Sequence, residues 1–448
     1  MSTRERRRVL APDHQGLVIA PDARLSRAES YRNLVLVAPT GSGKTTRYVV
    51  PNVLLASGSV VVTDPSGEIY DQTAGHLVER GYRLQVLQPA HPERSLGFNP
   101  LALWRSPQQL RRLAAILAAN VAGTNSNPFW AVSATNVLFF ALTALSHVSQ
   151  DEFVHLGNLR ELLNHLDAED DGARSFMERH LGTQERTLGE YRAFRGMEGR
   201  VRASVLATAR AALDLWSDPL VSRVTAEHSL DIAALRRELT AIYVILPEHQ
   251  VRYFGVLANL FYSTCFEHCL VTGRAPADLP VFFFLDEFGN LGPIEDIATV
   301  VTTLRKRRCS VSLIVQELSQ VRSVYGPDLA QTIVSGGAAN KLFYSGLDLE
   351  TALYVEQVLG QNTEYDTTFG GIDEQARTIA TPLLRADEVR RLPRDEAILV
   401  SGRERPAKII VPPAFSLPSL RPFLQKPAPP FPQGKNGEPA WLGFGADQ

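Results

Sequence analysis

The feature that most constrains this chain is NLVLVAPTGSGKTT, residues 33–46. The apolar run at 34–37 reads as a buried strand. It passes into a turn of Gly, Ser and Thr and then into a helix from Lys44. Phosphate chemistry explains each part. Small residues let backbone N–H groups point inward around an anion, and a helix N-terminus adds a positive dipole. Gly41 and Gly43 stand where the backbone must approach a phosphate closely. In such a site Thr40, Gly41, Ser42, Gly43, Lys44, Thr45 and Thr46 surround the phosphates; Lys44 reaches the β- and γ-phosphates and the Thr45 hydroxyl ligates Mg²⁺. Ala38 occupies the first position of the pattern, usually Gly, where a turn entry needs only a negative φ.

The rest of the chain alternates between strand and helix signals in a way that fits an α/β sheet. SVVVT at 59–63 is a second buried strand, and it ends in DPSGE, where Asp64 or Ser66 can cap a helix running to about Gly81. Acidic residues at a strand's carboxyl end also lie where α/β sheets bind ligands, so capping and binding both stand as readings of Asp64. Further strands are expected at 83–87, 241–246, 310–315, 341–345, 397–401 and 408–411, with a long apolar helix at 251–271.

VFFFLDEFGN, residues 281–290, is the second informative stretch. Five apolar residues form a buried strand, and burying Asp286 and Glu287 at its end costs several kcal/mol unless something compensates. A Mg²⁺–nucleotide complex is such compensation: Asp286 holds the metal through water and Glu287 polarises the attacking water. Two more residues are candidates. Gln316, at the tip of the 310–315 strand, can sense the γ-phosphate or orient water, and Arg305, in LRKRR at 304–308, can reach a neighbouring subunit's γ-phosphate. Basic residues at a helix C-terminus are also simply complementary to its dipole.

Between residues 104 and 237 strand signals vanish. Leu110, Leu113, Ile116 and Leu117, and later Val201, Val205, Leu206 and Ala209, recur at helical spacing, which predicts an all-α insertion. It carries Arg192, Arg195, Arg200, Arg202 and Arg210 beside Tyr191 and Phe194. Such interleaving suits a single nucleic-acid strand, and solvated helix faces look the same. The expected division is a polar lead-in at 1–30 with a short strand near 17–20, a nucleotide-binding unit at 31–103 and 238–411, the insertion at 104–237, and an extended Pro-rich tail at 412–448 without its own core.

The net charge of −2 provides no global basic field, so contact with DNA must be local. Cys265 and Cys269, with His268 between them, fit buried small side chains better than a metal site that lacks a fourth ligand. No run of about 18 apolar residues occurs, the longest being 137–145, and the basic start MSTRERRR has no apolar stretch after it. The expectation is a cytoplasmic protein.

Taken together, these segments resemble the coupling ATPases of type IV secretion and conjugation, motors of the FtsK/HerA branch of P-loop NTPases. The resemblance covers most of 33–411 and rests on VAPTGSGKTT, SVVVTDPSGE, FNPL, PFW, FFFLDEFGNLG, IVQELSQ with VYG, and DEVRRLPRDEAILVSGR. It implies a RecA-like sheet with an inserted all-α domain, ATP and Mg²⁺ as cofactors, and a homo-hexamer that pumps single-stranded DNA or a relaxase–DNA complex into a type IV secretion channel. Lys44 and Thr45 match the Walker A positions and Asp286 and Glu287 the Walker B pair; Arg305 and Gln316 fall in the finger and sensor region.

Ser66 stands where the family commonly has Lys, so no phosphate or DNA contact is assigned there. The usual N-terminal transmembrane pair is not recognised, which implies a soluble member that is peripheral at the inner membrane through a separate anchor protein. Other readings are a translocase of double-stranded DNA, an exporter of protein effectors only, and an ATP-dependent assembly switch without sustained turnover.

Overall fold

The structure, a computed structural model, describes residues 1, 3–121, 128–365 and 378–444. The lead-in folds more than its sequence suggests. After a helix at Thr3–Val9, strands β1 (Leu10–Ala11), β2 (Val18–Ala20) and β3 (Ala23–Leu25) form a small antiparallel sheet in the order β1-β3-β2. Asn52 ties it to the body: its Oδ1 accepts the Val18 N–H at 2.8 Å and its Nδ2 donates to the Val18 carbonyl at 2.9 Å. That long-range pairing has no local signal.

The large sheet has nine strands: β4 (Leu34–Val37), β5 (Ser59–Asp64), β6 (Arg83–Leu87), β7 (Thr240–Ile245), β8 (Val281–Leu285), β9 (Cys309–Val315), β10 (Asn340–Tyr344), β13 (Glu396–Ser401) and β14 (Ala407–Ile410). Strands β11 (Gln361–Tyr365) and β12 (Thr378–Pro382) pair separately. The spatial order is β14-β13-β10-β4-β9-β8-β5-β7-β6. The seven strands from β10 to β6 are parallel, and β13 and β14 are antiparallel additions at one edge. The central strands are buried on both faces, which is why they read as unbroken apolar runs rather than alternating ones.

On one face Val35, Val37, Phe283, Leu285 and Val315 join a core that continues into the helical region and includes the fully buried helix positions Phe261 and Phe266. On the other face Leu36, Val62, Phe284 and Ile314 pack under the helix at Glu68–Glu79 and the small sheet.

Between β6 and β7 the chain is helical, with its principal helices at Pro107–Ala119, Pro128–Ser146, Leu156–Asp167, Asp171–Leu181, Glu185–Arg195, Gly199–Ala211 and Pro219–Ala226. Among the described residues Pro128–Ser146 is the one helix long and apolar enough to cross a membrane, and 61% of its apolar window is buried against the other helices. Tyr191 and Phe194 belong to this core, 5.4 and 5.5 Å from the Phe140 ring, so they offer no stacking surface to a nucleic-acid strand.

Residues 412–444 are largely extended, as a Pro-rich segment should be, but they are anchored along their length. Leu420 packs with Val50 and Leu54, Phe431 stacks on Tyr70 at 4.6 Å, and Asn436 donates to the Pro92 and Ser95 carbonyls. Further on, the Ala440 carbonyl accepts from Asn158, and Phe444 lies edge-on to Phe176. This strap runs from the sheet's helices to the helical region. Cys265 and Cys269 are fully buried in the helix at Gly255–Val271.

Candidate nucleotide site at the carboxyl edge of the sheet

Four adjacent strands, β4, β9, β8 and β5, run parallel and end at one edge. The phosphate loop follows β4, Gln316 follows β9, Asp286 and Glu287 follow β8, and Asp64 closes β5. Residues separated by more than two hundred positions thus meet where parallel α/β sheets bind ligands.

The loop has the backbone its sequence requires. Gly41 and Gly43 take φ of +74° and +81°, and nothing lies within 4 Å of a Cβ built on Gly41. The helix after it opens with a wide turn, Thr45–Val49, in which the Val50 N–H reaches the Thr45 carbonyl, and continues through Val50–Leu54. The Ser42 hydroxyl is buried without a hydrogen-bond partner among the described residues.

Lys44 is held between the two carboxylates. Its Nζ contacts Glu287 Oε1 directly and lies 3.5 Å from Asp286 Oδ1. Burial alone lowers the Lys44 pKa, but the charges of Asp286 and Glu287 more than offset it and the ammonium titrates above its ordinary value. Asp286, 1% exposed, has its pKa raised by burial, with Lys44 opposing the shift. The Thr45 hydroxyl lies 3.4 Å from Asp286 Oδ2.

Glu287 carries three further features. Its φ is +55°, a left-handed conformation that costs a non-glycine residue roughly 1–2 kcal/mol, and it turns the side chain back toward the loop. Gln316 Nε2 donates to Oε1 and Oε2 at 3.2 and 3.1 Å, and Asn290 Nδ2 donates to Oε2 at 3.1 Å. Thr40 completes the chain by donating to Gln316 Oε1 at 3.0 Å.

Lys44, Thr45, Asp286, Glu287, Gln316 and Thr40 therefore converge in one copy of the chain. Arg305 does not. It is exposed in the turn Leu304–Arg307 before β9, at the opposite edge, and a strand the length of β9 spans roughly 20 Å. Asp64, also at the carboxyl edge, is fully buried and caps the next helix: its Oδ1 accepts the Gly67 N–H at 2.9 Å and its Oδ2 the Tyr70 N–H at 2.8 Å. The capping reading of that residue accounts for its contacts.

Three supporting residues carry no local signal. Asn290 is one. Arg394 Nη2 donates to the Gly41 carbonyl at 3.2 Å, and Arg47 Nη1 donates to the Arg394 carbonyl at 2.8 Å, tying the loop before β13 to the phosphate loop. Arg394 lies in the DEVRRLPRDEA segment, which marked the stretch without indicating a role.

The residues present fit a Mg²⁺–nucleotide. The loop offers a backbone cradle and an unpartnered Ser42 hydroxyl, Lys44 supplies a cation, and a Thr hydroxyl and a carboxylate converge at the distance two ligands of one hard cation can share.

A family model described as type IV secretory system conjugative DNA transfer matches residues 8–428. The chain belongs to that family. VirD4 of Agrobacterium fabrum is 27% identical over 414 residues, covering 84% of this chain and 58% of VirD4. TraG of Escherichia coli is 26% identical over 400 residues, covering 81% of this chain and 62% of TraG. The chain thus spans about six-tenths of the length of these curated relatives. Among solved structures, the plasmid coupling protein TrwB in complex with ADP and Mg²⁺ superposes with a TM-score of 0.73 at 19% identity, covering 92% of each chain. TrwBΔN70 in complex with sulphate gives 0.72 at 18%, covering 90% of this chain and 93% of that one. This chain therefore shares its overall fold with those coupling-protein structures.

Proposed function

We propose that this chain is the motor of a conjugative or secretion coupling system: it hydrolyses ATP with Mg²⁺ and uses the cycle to pass single-stranded DNA, alone or bound to a relaxase, into a type IV secretion channel. The observation that carries the chemistry is the convergence of Lys44, Thr45, Asp286, Glu287 and Gln316 at the ends of adjacent parallel strands. Family membership and the likeness to VirD4, TraG and TrwB support the transfer role.

Bound Mg²⁺ would supply charge neutralisation to the transferring phosphoryl group. The chain's own residues do the rest. Glu287, buried and aimed by Gln316 and Asn290, is placed to hold the proton of an attacking water, and Lys44 leaves its carboxylate clamp to meet phosphate oxygens. Thr45 and Asp286 would hold the metal, with Thr40, Gly41, Ser42, Gly43 and Thr46 completing the cradle.

Arg305 is assigned to a neighbouring subunit's site within a homo-hexamer, because its own site lies at the far edge of the sheet. The described residues work on the cytoplasmic side of the inner membrane, against channel components.

The test is steady-state ATP hydrolysis by the purified chain, alone and with single- or double-stranded DNA. Stimulation by single strands supports the coupling motor, and preference for duplex moves the assignment to a double-stranded DNA translocase. Turnover indifferent to either DNA supports an exporter of protein effectors. Tight ATP binding without turnover under any condition overturns the motor in favour of an assembly switch.

A further inference from the structure

The helical region holds a cavity lined by arginines. Helices Asp171–Leu181, Glu185–Arg195 and Gly199–Ala211, with the turn at Glu169, enclose a polar cavity of about 190 Å³. Arg174, Arg195 and Arg202 line it, with Phe194 and Tyr191 as its apolar wall. Among the described residues Glu169 is the one carboxylate that lines it.

These three guanidinium groups are half-buried, with 30–39% of their side chains exposed, whereas the acids that neutralise them lie further out: Glu169 at 58%, Glu178 at 59% and Asp171 at 90%. Their pairing is sparse. Arg202 bonds Glu169 and donates to the Arg195 carbonyl at 3.1 Å; Arg174 donates to Asp171 at 3.1 Å and stands 3.6 Å from Glu169. The Arg195 guanidinium only approaches Glu178, at 3.8 Å, and donates no hydrogen bond to a carboxylate among the described residues. Three arginines carry about fifteen N–H donors, and three direct bonds leave most of them to water or a ligand.

An independent observation points the same way. Tyr191 is 1% exposed, and its hydroxyl has no hydrogen-bond partner among the described residues. A buried hydroxyl is normally satisfied, so folding has left this donor at a cavity whose lining carboxylate, Glu169, is engaged by Arg202 and Arg174. A tetrahedral oxyanion supplies what is missing, since it accepts from several guanidinium groups at once and takes the phenol as a further donor.

We infer that this cavity binds a phosphate group, free or carried on a nucleic-acid strand, through Arg174, Arg195, Arg202 and Tyr191. The inference rests on this geometry and stands apart from the phosphate loop.

The test uses the full chain saturated with ADP and Mg²⁺, so that the phosphate loop is filled. Binding of inorganic phosphate is read as a thermal-unfolding shift, and binding of a labelled single-stranded oligonucleotide as anisotropy at fixed salt. Arg195→Gln should weaken both by about tenfold and reduce the oligonucleotide's salt dependence by about one unit of slope. Tyr191→Phe should weaken both by about threefold while leaving the ligand-free unfolding temperature unchanged or raised, because it removes an unpartnered buried hydroxyl. A merely structural tyrosine would not combine those two results.

If phosphate binding responds to the variants and oligonucleotide binding does not, the source is free phosphate; if both respond, it is the strand. Wild-type behaviour of both variants with both probes overturns the site and leaves the motor reading standing. A variant-sensitive phosphate shift in a protein that never turns over ATP keeps the site and overturns the motor.

Discussion

The two edges of the large sheet are built in opposite ways. At the carboxyl edge the polar side chains satisfy one another: Lys44 is clamped by Asp286 and Glu287, Glu287 is held by Gln316 and Asn290, and Gln316 by Thr40. At the amino edge Arg305 and Lys306 project into solvent, with no ion pair among the described residues. One edge is a closed set of charges that satisfy one another, and the other is an open set of cations with no acid paired to them among the described residues. Since roughly 20 Å of strand separates them, a second copy of the chain, rather than a rearrangement of the first, is the economical way to bring them together.

The largest effect should follow from breaking the closed edge. Glu287→Gln keeps the shape and one of the two oxygens that accept from Gln316 but removes the proton acceptor, so turnover should fall by about 10³ while ATP binding survives. Hydrolysis and nucleotide affinity measured side by side check this. Turnover near the wild-type level would mean that the buried carboxylate serves only to hold Lys44.

The open edge should give a smaller loss with a distinctive signature. Arg305→Ala should lower turnover by about 10² with ATP affinity unchanged, because a cation aimed at transition-state charge contributes little to ground-state binding. Mixing it in equal amounts with inactive Lys44→Ala protein should restore about a quarter of wild-type turnover, the chance that an intact loop meets an intact finger in a mixed ring. No restoration places Arg305 outside the neighbour's site and collapses the contrast between the edges.

Most of the closed edge was legible in the sequence because its chemistry is local. A strand, a Gly-rich turn and Lys-Thr, or five apolar residues and Asp-Glu, each declare a buried strand ending in polar groups. Gln316 was readable for the same reason, as the polar tip of an apolar strand. What escaped notice depends on distant partners. Asn290 acts through the left-handed turn at Glu287, Arg394 through a loop more than 350 positions from Gly41, and Asn52 through a small sheet whose strands are two or three residues long. The tail's composition predicted its extension but not its anchoring, since Asn436 and Phe444 find their sites only once the helices have packed. In the insertion, Arg195 and Arg202 were visible as charges, but the pocket they share with Arg174 is a product of helix packing.

Asp64 gives the smallest effect, and it sharpens the carboxyl edge by separating an acid that serves the fold from those that serve the site. Burial pushes its carboxyl up to about 6, even though the backbone N–H groups of Tyr70, Ile69, Ser66 and Gly67 favour the charged form. A folded value above the unfolded one means that the native state holds the proton more tightly. Its stabilising contribution is therefore complete below about pH 4 and is lost as pH rises through about 6. Asp64→Asn cannot ionise; it loses one acceptor oxygen, an offset that is the same at every pH. The stability difference between wild type and Asp64→Asn should therefore shift against wild type by on the order of 2 kcal/mol between pH 4 and pH 7, as read by urea unfolding of both proteins. A constant difference would mean that Asp64 titrates as it does in the unfolded chain. The acid at the end of β5 would then lie open to water and belong with Asp286 and Glu287 as a candidate ligand, and the line between scaffold and site along this edge would have to be redrawn.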